Sequence, residues 1–224
     1  MYSIFCMYQT ILAVQGMFLP ELKISVFSDY ICPFCYVGHH RLMRLTDSYN
    51  LKINWCFLEI HPENSAEGEP VSSLDYPSEY WNQLMLNLKR VAAEENIPLS
   101  EHLFTTNSKD ALLLGEAAKS CGRDMFYKLH EALFSAFFVD GKNIGDREIL
   151  RDIAHSCDIN DKILEDAWNN PAHQQRLQQN FSTARAYQIQ SVPSFVFGER
   201  ILTGVVSEID MRTAASELAL MNTA

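Results

Sequence analysis

The sequence predicts an α/β fold interrupted by an all-helical insertion. Three observations lead there: a strand–helix–strand order within the first sixty residues, about a hundred residues of helical periodicity after it, and a closing hairpin and helix. A chain of 224 residues is long enough to hold both parts. Thirteen Phe, nine Tyr and three Trp can fill the core they need.

Taken in order, residues 22–28 (LKISVFS) alternate apolar and polar side chains with β-branched enrichment, the pattern of a strand. Asp29, Tyr30 and Ile31 form a short turn, and Cys32 opens a helix to about Ser48. Pro33 suits its first turn, where a missing N–H costs nothing. Residues 52–60 (KINWCFLEI) read as the second strand, with Ile53, Trp55, Phe57 and Glu59 on one face. The polar stretch 61–77, with Gly68 and Pro70, reads as a junction.

Tyr80, Trp81, Leu84, Leu88, Val91 and Ala92 then recur at helical spacing and predict a helix over 78–96, with this stripe, Tyr80, Trp81 and Leu84 included, in the core. Helices follow over 111–121, closed by Gly122, and over 124–138, closed by Asp140 and Gly141. Two short helices with acidic first turns cover 146–156 and 161–168. Asn170 and Pro171 open a polar helix to about Tyr187. Residues 194–197 and 200–202 form a hairpin through Gly198 and Glu199. Ser207 caps a last helix to about Met221, with Asp210 three residues on. The division that results is an α/β unit of residues 21–76 and 172–224, an inserted helical domain of 77–171, and an N-terminal extension of 1–20. That extension lacks a basic start, since the first cation is Lys23, and it is too broken to span a bilayer. It reads as a disordered tail or as an overcalled start with Met17 the initiator, ahead of a weak signal peptide. No other segment approaches a membrane span, and the expected location is the cytoplasm.

Eighteen Lys and Arg against 28 Asp and Glu give a net charge of −10, which argues against a nucleic-acid partner and an anionic membrane surface. Six cysteines are far too few for a disulfide-stapled scaffold. Cys32 and Cys35 alone are close in sequence; Cys6, Cys56, Cys121 and Cys157 stand singly, and the last three read as buried and inert.

C-x-x-C at a helix start has a physical consequence. Side chains three apart on a helix lie ~5–6 Å from each other, close enough for a disulfide after slight adjustment. The first thiol also meets the positive end of the helix dipole, where ~1–2 kcal/mol of stabilisation would lower a pKa of ~8.5 by about one unit. Cys32 is thus the expected nucleophile and Cys35 the resolving thiol. Haem attachment fails because residue 36 is Tyr rather than His. Zinc on Cys32, Cys35 and His39 would need a fourth ligand from elsewhere in the fold, and no metal is expected. His39 and His40 read as ordinary, partly exposed helix residues. Ahead of the hairpin, Pro193 heads a strand in SVPSF. A cis Val192–Pro193 bond would expose a backbone edge on which a peptide could pair beside Cys32, whereas X–Pro statistics favour trans.

Residues 28–38 (SDYICPFCYVG), together with Ala132, Leu133, Phe134, Phe137 and Phe138, with 141–144 (GKNI) and with 191–197 (SVPSFVF), resemble the DsbA-like family, and its FrnE-type branch most. The likeness runs in order over about residues 22–221. It implies a thioredoxin-like fold with a helical insertion and dithiol–disulfide exchange with protein or small-molecule disulfides. Cys32 would attack, Cys35 resolve, and Pro33, Phe34, Val192 and Pro193 would line the substrate site. No bound cofactor is implied, only an external thiol system such as glutathione. Two departures matter. Phe34 stands where periplasmic DsbA carries His, so a strongly oxidising potential does not transfer. The sister branch of 2-hydroxychromene-2-carboxylate isomerase and kappa-class glutathione transferase typically has Ser at the position of Cys32, which leaves glutathione-dependent isomerisation the alternative. A third, non-enzymatic reading is a redox-sensing or binding module. Oligomeric state, a dimer included, stays open.

Overall fold

The computed structural model describes residues 19–100 and 104–223. Cys6 and the expected extension up to residue 18 lie outside them. The chain begins with β1 (Glu21–Ser28), α1 (Pro33–Met43), a 3-10 turn (Arg44–Asp47) and β2 (Asn50–Phe57). A loop holding β3 (Glu69–Pro70) leads to α2 (Ser78–Glu95), then β4 (Phe104–Thr105), α3 (Lys109–Ala118), α4 (Arg123–Phe138), α5 (Arg147–Ser156), α6 (Asp161–Asn169) and α7 (Pro171–Ala186). It closes with β5 (Ser194–Phe197), β6 (Arg200–Thr203) and α8 (Glu208–Thr223).

Four strands form one sheet in the order β2-β1-β5-β6. β1 and β2 run parallel, from Glu21 opposite Asn50 to Ser28 opposite Phe57. β5 pairs antiparallel with β1, and β6 antiparallel with β5. This is the expected α/β fold, with helices α2–α7 intervening before the chain returns to the sheet. Being central, β1 is buried on both faces: Leu22, Ile24 and Val26 enter the main core, while Phe27 joins Cys56, Leu58, Ala184 and Val196 on the other side.

Several of the later helices start with a side-chain cap. The side chains of Asp146 and Asn170 accept from Glu148 N at 2.8 Å and Ala172 N at 3.0 Å. Ser207 Oγ accepts from Asp210 N at 3.1 Å. At its far end α1 is clamped: Arg41 Nε donates to Glu95 Oε1 at 2.7 Å, and Arg41 Nη1 to the Val206 carbonyl at 2.8 Å.

Several expectations are corrected. β2 runs over 50–57 rather than 52–60, so Glu59 lies past the strand, where its Oε1 accepts from Asn107 Nδ2 at 3.0 Å. The helix after Cys32 ends at Met43 and tightens into the 3-10 turn before Ser48. The two-residue ladder of β3 with β4 is too short to carry a periodic signal. Cys56 and Cys157 are buried, but Cys121 is half-buried in the turn after α3. His39 is fully buried rather than partly exposed, because α4 covers that face of α1. The stripe on α2 is core only in its second half: Leu88, Val91 and Ala92 are buried, Trp81 and Leu84 half-buried, and Tyr80 is exposed. The helical period holds, but the first two turns stay largely open to solvent.

Candidate dithiol site

Directly after β1, the carbonyl of Asp29 accepts Cys32 N at 3.2 Å and turns the chain into α1. Cys32 becomes the N-cap residue, with φ −89° and ψ 112°, and Pro33 the first helical residue. The Cys32 carbonyl accepts Cys35 N at 3.0 Å and Tyr36 N at 3.3 Å, while its side chain caps nothing. The thiol therefore stands at the positive end of the helix dipole. Cys32 and Cys35 are both free, buried thiols, one at the cap and one in the first turn of α1. Burial, then the Cys32 thiol, push the Cys35 thiol well above its usual range; bonds from the Asp29 backbone and the Ser28 side chain oppose the shift.

The turn before β5 arrives on the other side. Cys32 Sγ donates to the Val192 carbonyl at 3.7 Å, across 160 residues of sequence. The Val192–Pro193 peptide is cis. Gly38 permits the approach: a Cβ there would lie 2.7 Å from Phe195 Cζ and 3.4 Å from Pro193 Cγ, so only glycine lets α1 settle on this strand. Cys32, Cys35, Val192 and Pro193 are thus brought together, and Pro33 and Phe34 are half-buried at the rim.

Sequence reasoning missed Asp29, which it read as a turn residue. The carboxyl is fully buried; Oδ2 accepts Ile60 N at 2.9 Å and Ser108 Oγ at 3.0 Å, and Oδ1 accepts Ile31 N at 3.2 Å. Burial raises its pKa to about 6, with Glu59 adding to the rise and the three hydrogen bonds opposing it. One signal was available: an acid directly after an apolar strand and before the cysteines.

Tyr30 was missed as well. Its Oη lies 2.9 Å from His130 Nδ1 on α4, and both residues are fully buried. Gly115 on α3 leaves room for the Tyr30 hydroxyl, which a Cβ would approach to 2.7 Å. His39 packs edge-on to His130 at 4.9 Å between ring centroids, and its Nε2 lies 3.7 Å from Glu131 Oε1. Among the described residues no group of three or more His, Cys, Asp or Glu is arranged to hold a metal.

A mixed sheet, a C-x-x-C pair opening the helix after β1, and an X–Pro peptide facing it from the start of β5 together define a thioredoxin-like protein with a helical insertion. The chain belongs to the family described as the DSBA-like thioredoxin domain, whose model matches residues 23–218. The uncharacterized protein YwbO of Bacillus subtilis (strain 168) is 25% identical over 200 residues, 88% of this chain and 96% of that one. Among solved structures, a probable DsbA oxidoreductase from Streptomyces coelicolor superposes with a TM-score of 0.76 at 19% identity, covering 88% of this chain and 89% of the other. A 2-hydroxychromene-2-carboxylate isomerase superposes with a TM-score of 0.70 at 17% identity, covering 90% and 98%. Identities this low speak for the fold alone. Among the described residues no helix is long and apolar enough to cross a membrane.

Proposed function

We propose that the protein is a cytoplasmic thiol–disulfide oxidoreductase acting on protein or small-molecule disulfides, with Cys32 as the attacking thiolate and Cys35 as the resolving thiol. One observation carries this reading: the neighbouring thiols sit at the start of α1, with Cys32 against the Val192 carbonyl. Cys32 S⁻ attacks one sulfur of a substrate disulfide; a Cys32–substrate S–S bond forms, and the second substrate sulfur leaves with the electron pair and takes up a proton. Cys35, deprotonated in its turn, attacks Cys32 Sγ and expels the first substrate thiolate. The substrate has gained two electrons and two protons, and the Cys32–Cys35 pair has become a disulfide. An external dithiol, or two monothiols such as glutathione, returns the pair to its reduced state, and the same steps run backwards oxidise a substrate dithiol.

Pro33, Phe34, Val192 and Pro193 line the place where the substrate lies, the Val192 carbonyl taking a backbone N–H of the substrate as an added strand would. No metal or bound cofactor takes part. The raised pKa of Cys35 fits its role, since a protonated second thiol does not compete for the incoming disulfide. The alternative, glutathione-dependent isomerisation, has no use for this second thiol. Insulin reduction by the wild type with a thiol reductant, lost on Cys32→Ser, tests the proposal; activity that survives that change overturns it.

A further inference from the structure

The exposed half of α2 follows Tyr76, whose hydroxyl is near enough to Cys32 for the two to interact electrostatically. α2 has 18 residues against 11 for α1. Their C-terminal ends are tied together by Arg41 and Glu95. Tyr76, just before α2, feels the charge of Cys32. Its ring lies parallel to Trp81, 6.0 Å between centroids and 9° between planes, and 5.5 Å from Tyr80. Tyr76 is 40% and Tyr80 54% exposed. Aromatic faces left open beside a reactive thiol mark a surface for something to lie on.

The charge around them has one sign. Between Lys52 and Lys89 the chain holds no Lys or Arg but six acids: Glu59, Glu63, Glu67, Glu69, Asp75 and Glu79. Several are fixed in place: Glu63 Oε1 lies 2.9 Å from His61 Nδ1, and Glu69 Oε1 accepts Ser65 N at 2.9 Å. His61 Nε2 in turn lies 3.4 Å from the Tyr76 hydroxyl, which joins the acidic loop to the aromatic cluster. On the other flank, Glu131 and Asp140 set the field at Tyr36. Lys142, 3.4 Å from Asp140, offsets part of that second flank.

We propose that this face selects cationic polypeptides: an Arg- or Lys-bearing segment next to the target cysteine lies on Tyr76, Tyr80 and Trp81, inside the acidic wall, while its sulfur meets Cys32. A guanidinium or ammonium gains from the aromatic faces and from the field together. Anionic disulfides, glutathione disulfide among them, are held off by the same field. The inference rests on the exchange chemistry proposed above and names its substrate class.

The test uses the reduced full-length protein and two cysteine peptides of equal length. One carries Arg and the other Glu on both sides of the cysteine, and each is activated as a mixed disulfide with 2-thiopyridine. Attack by Cys32 forms the Cys32–peptide disulfide and releases 2-thiopyridone, which is followed by absorbance. The Arg peptide is expected to react about tenfold or more faster than the Glu peptide at low salt, with the ratio falling towards one in about 1 M NaCl. In a Glu63→Gln, Asp75→Asn, Glu79→Gln variant the low-salt ratio is expected to fall at least about threefold. Equal rates for the two peptides, or an Arg preference that the variant keeps in full, overturn the selection while leaving the exchange chemistry standing. Neutral 2,2′-dipyridyl disulfide separates the two ideas: failure of the wild type to release thiopyridone from it overturns both.

Discussion

The Cys32 thiol and the Val192 carbonyl, 160 residues apart in sequence, meet at 3.7 Å. The contact joins the helix that raises a nucleophile to the strand edge that would hold its target. Its consequence is a division of labour between the cysteines. Cys32→Ser is expected to abolish insulin reduction, whereas Cys35→Ser is expected to accumulate a mixed disulfide with substrate through Cys32, read as an intact-mass adduct removed by dithiothreitol. Glutathione-dependent isomerisation would instead leave turnover intact in Cys35→Ser.

The seating of α1 on β5 depends on Gly38. A Cβ at 2.7 Å from Phe195 Cζ cannot be accommodated without moving the helix or the ring. Gly38→Ala is therefore expected to destabilise the protein by ~1–3 kcal/mol, as overpacking does. Urea denaturation measures the loss, and a mixed-disulfide rate lowered in the folded variant would report the displaced Val192 edge.

Asp29 links stability to pH. Its carboxyl titrates at about 6 in the fold, against ~3.9 in an unfolded chain. The native state thus holds its proton more tightly, and the associated stability is full below pH ~4 and lost as pH rises through 6, on the order of 2–3 kcal/mol. Asp29→Asn removes that dependence but turns an amide N–H₂ towards donors, so it is expected to be destabilised at every pH while losing the slope. The difference from wild type should shrink from pH 4 to pH 7; a constant difference in urea midpoints at matched m-values would show that Asp29 does not titrate in this window.

Tyr30 and His130 form a buried pair whose partners depend on each other. Burial drives the His130 pKa well down, so it stays neutral in the fold, and its stabilising contribution is lost as pH falls through the unfolded value of ~6.5. His130→Phe leaves the Tyr30 hydroxyl unpaired and is expected to cost ~1–3 kcal/mol, part of which the double change with Tyr30→Phe recovers. A thermal-denaturation cycle showing strict additivity would mean the 2.9 Å contact adds no coupling.

Much of this was legible in local chemistry. The alternation in β1, the caps at Asn170 and Ser207, and the C-x-x-C pair around Pro33 are decided within a few residues of chain, and each lies where its neighbours in sequence put it. The half-open α2 was beyond reach, because a helical stripe looks the same whether or not a partner covers its first turns. His39 misled for the converse reason: its burial is supplied by α4, nearly a hundred residues on. Asp29 owes its elevated pKa to burial by segments distant in sequence, which outweighs the opposing hydrogen bonds from Ile60 and Ser108.

Sequence alone determined the α/β class with its helical insertion, the pair of cysteines at a helix start, and the proline heading β5, because hydrophobic period, capping and turn preferences act over a turn or two. Only the tertiary structure decided that the Val192 edge faces Cys32, that Gly38 sets how closely, that a buried acid lies beside them, and that aromatic rings stand open nearby. Those depend on which surfaces exclude water from one another, and that is settled when distant segments pack.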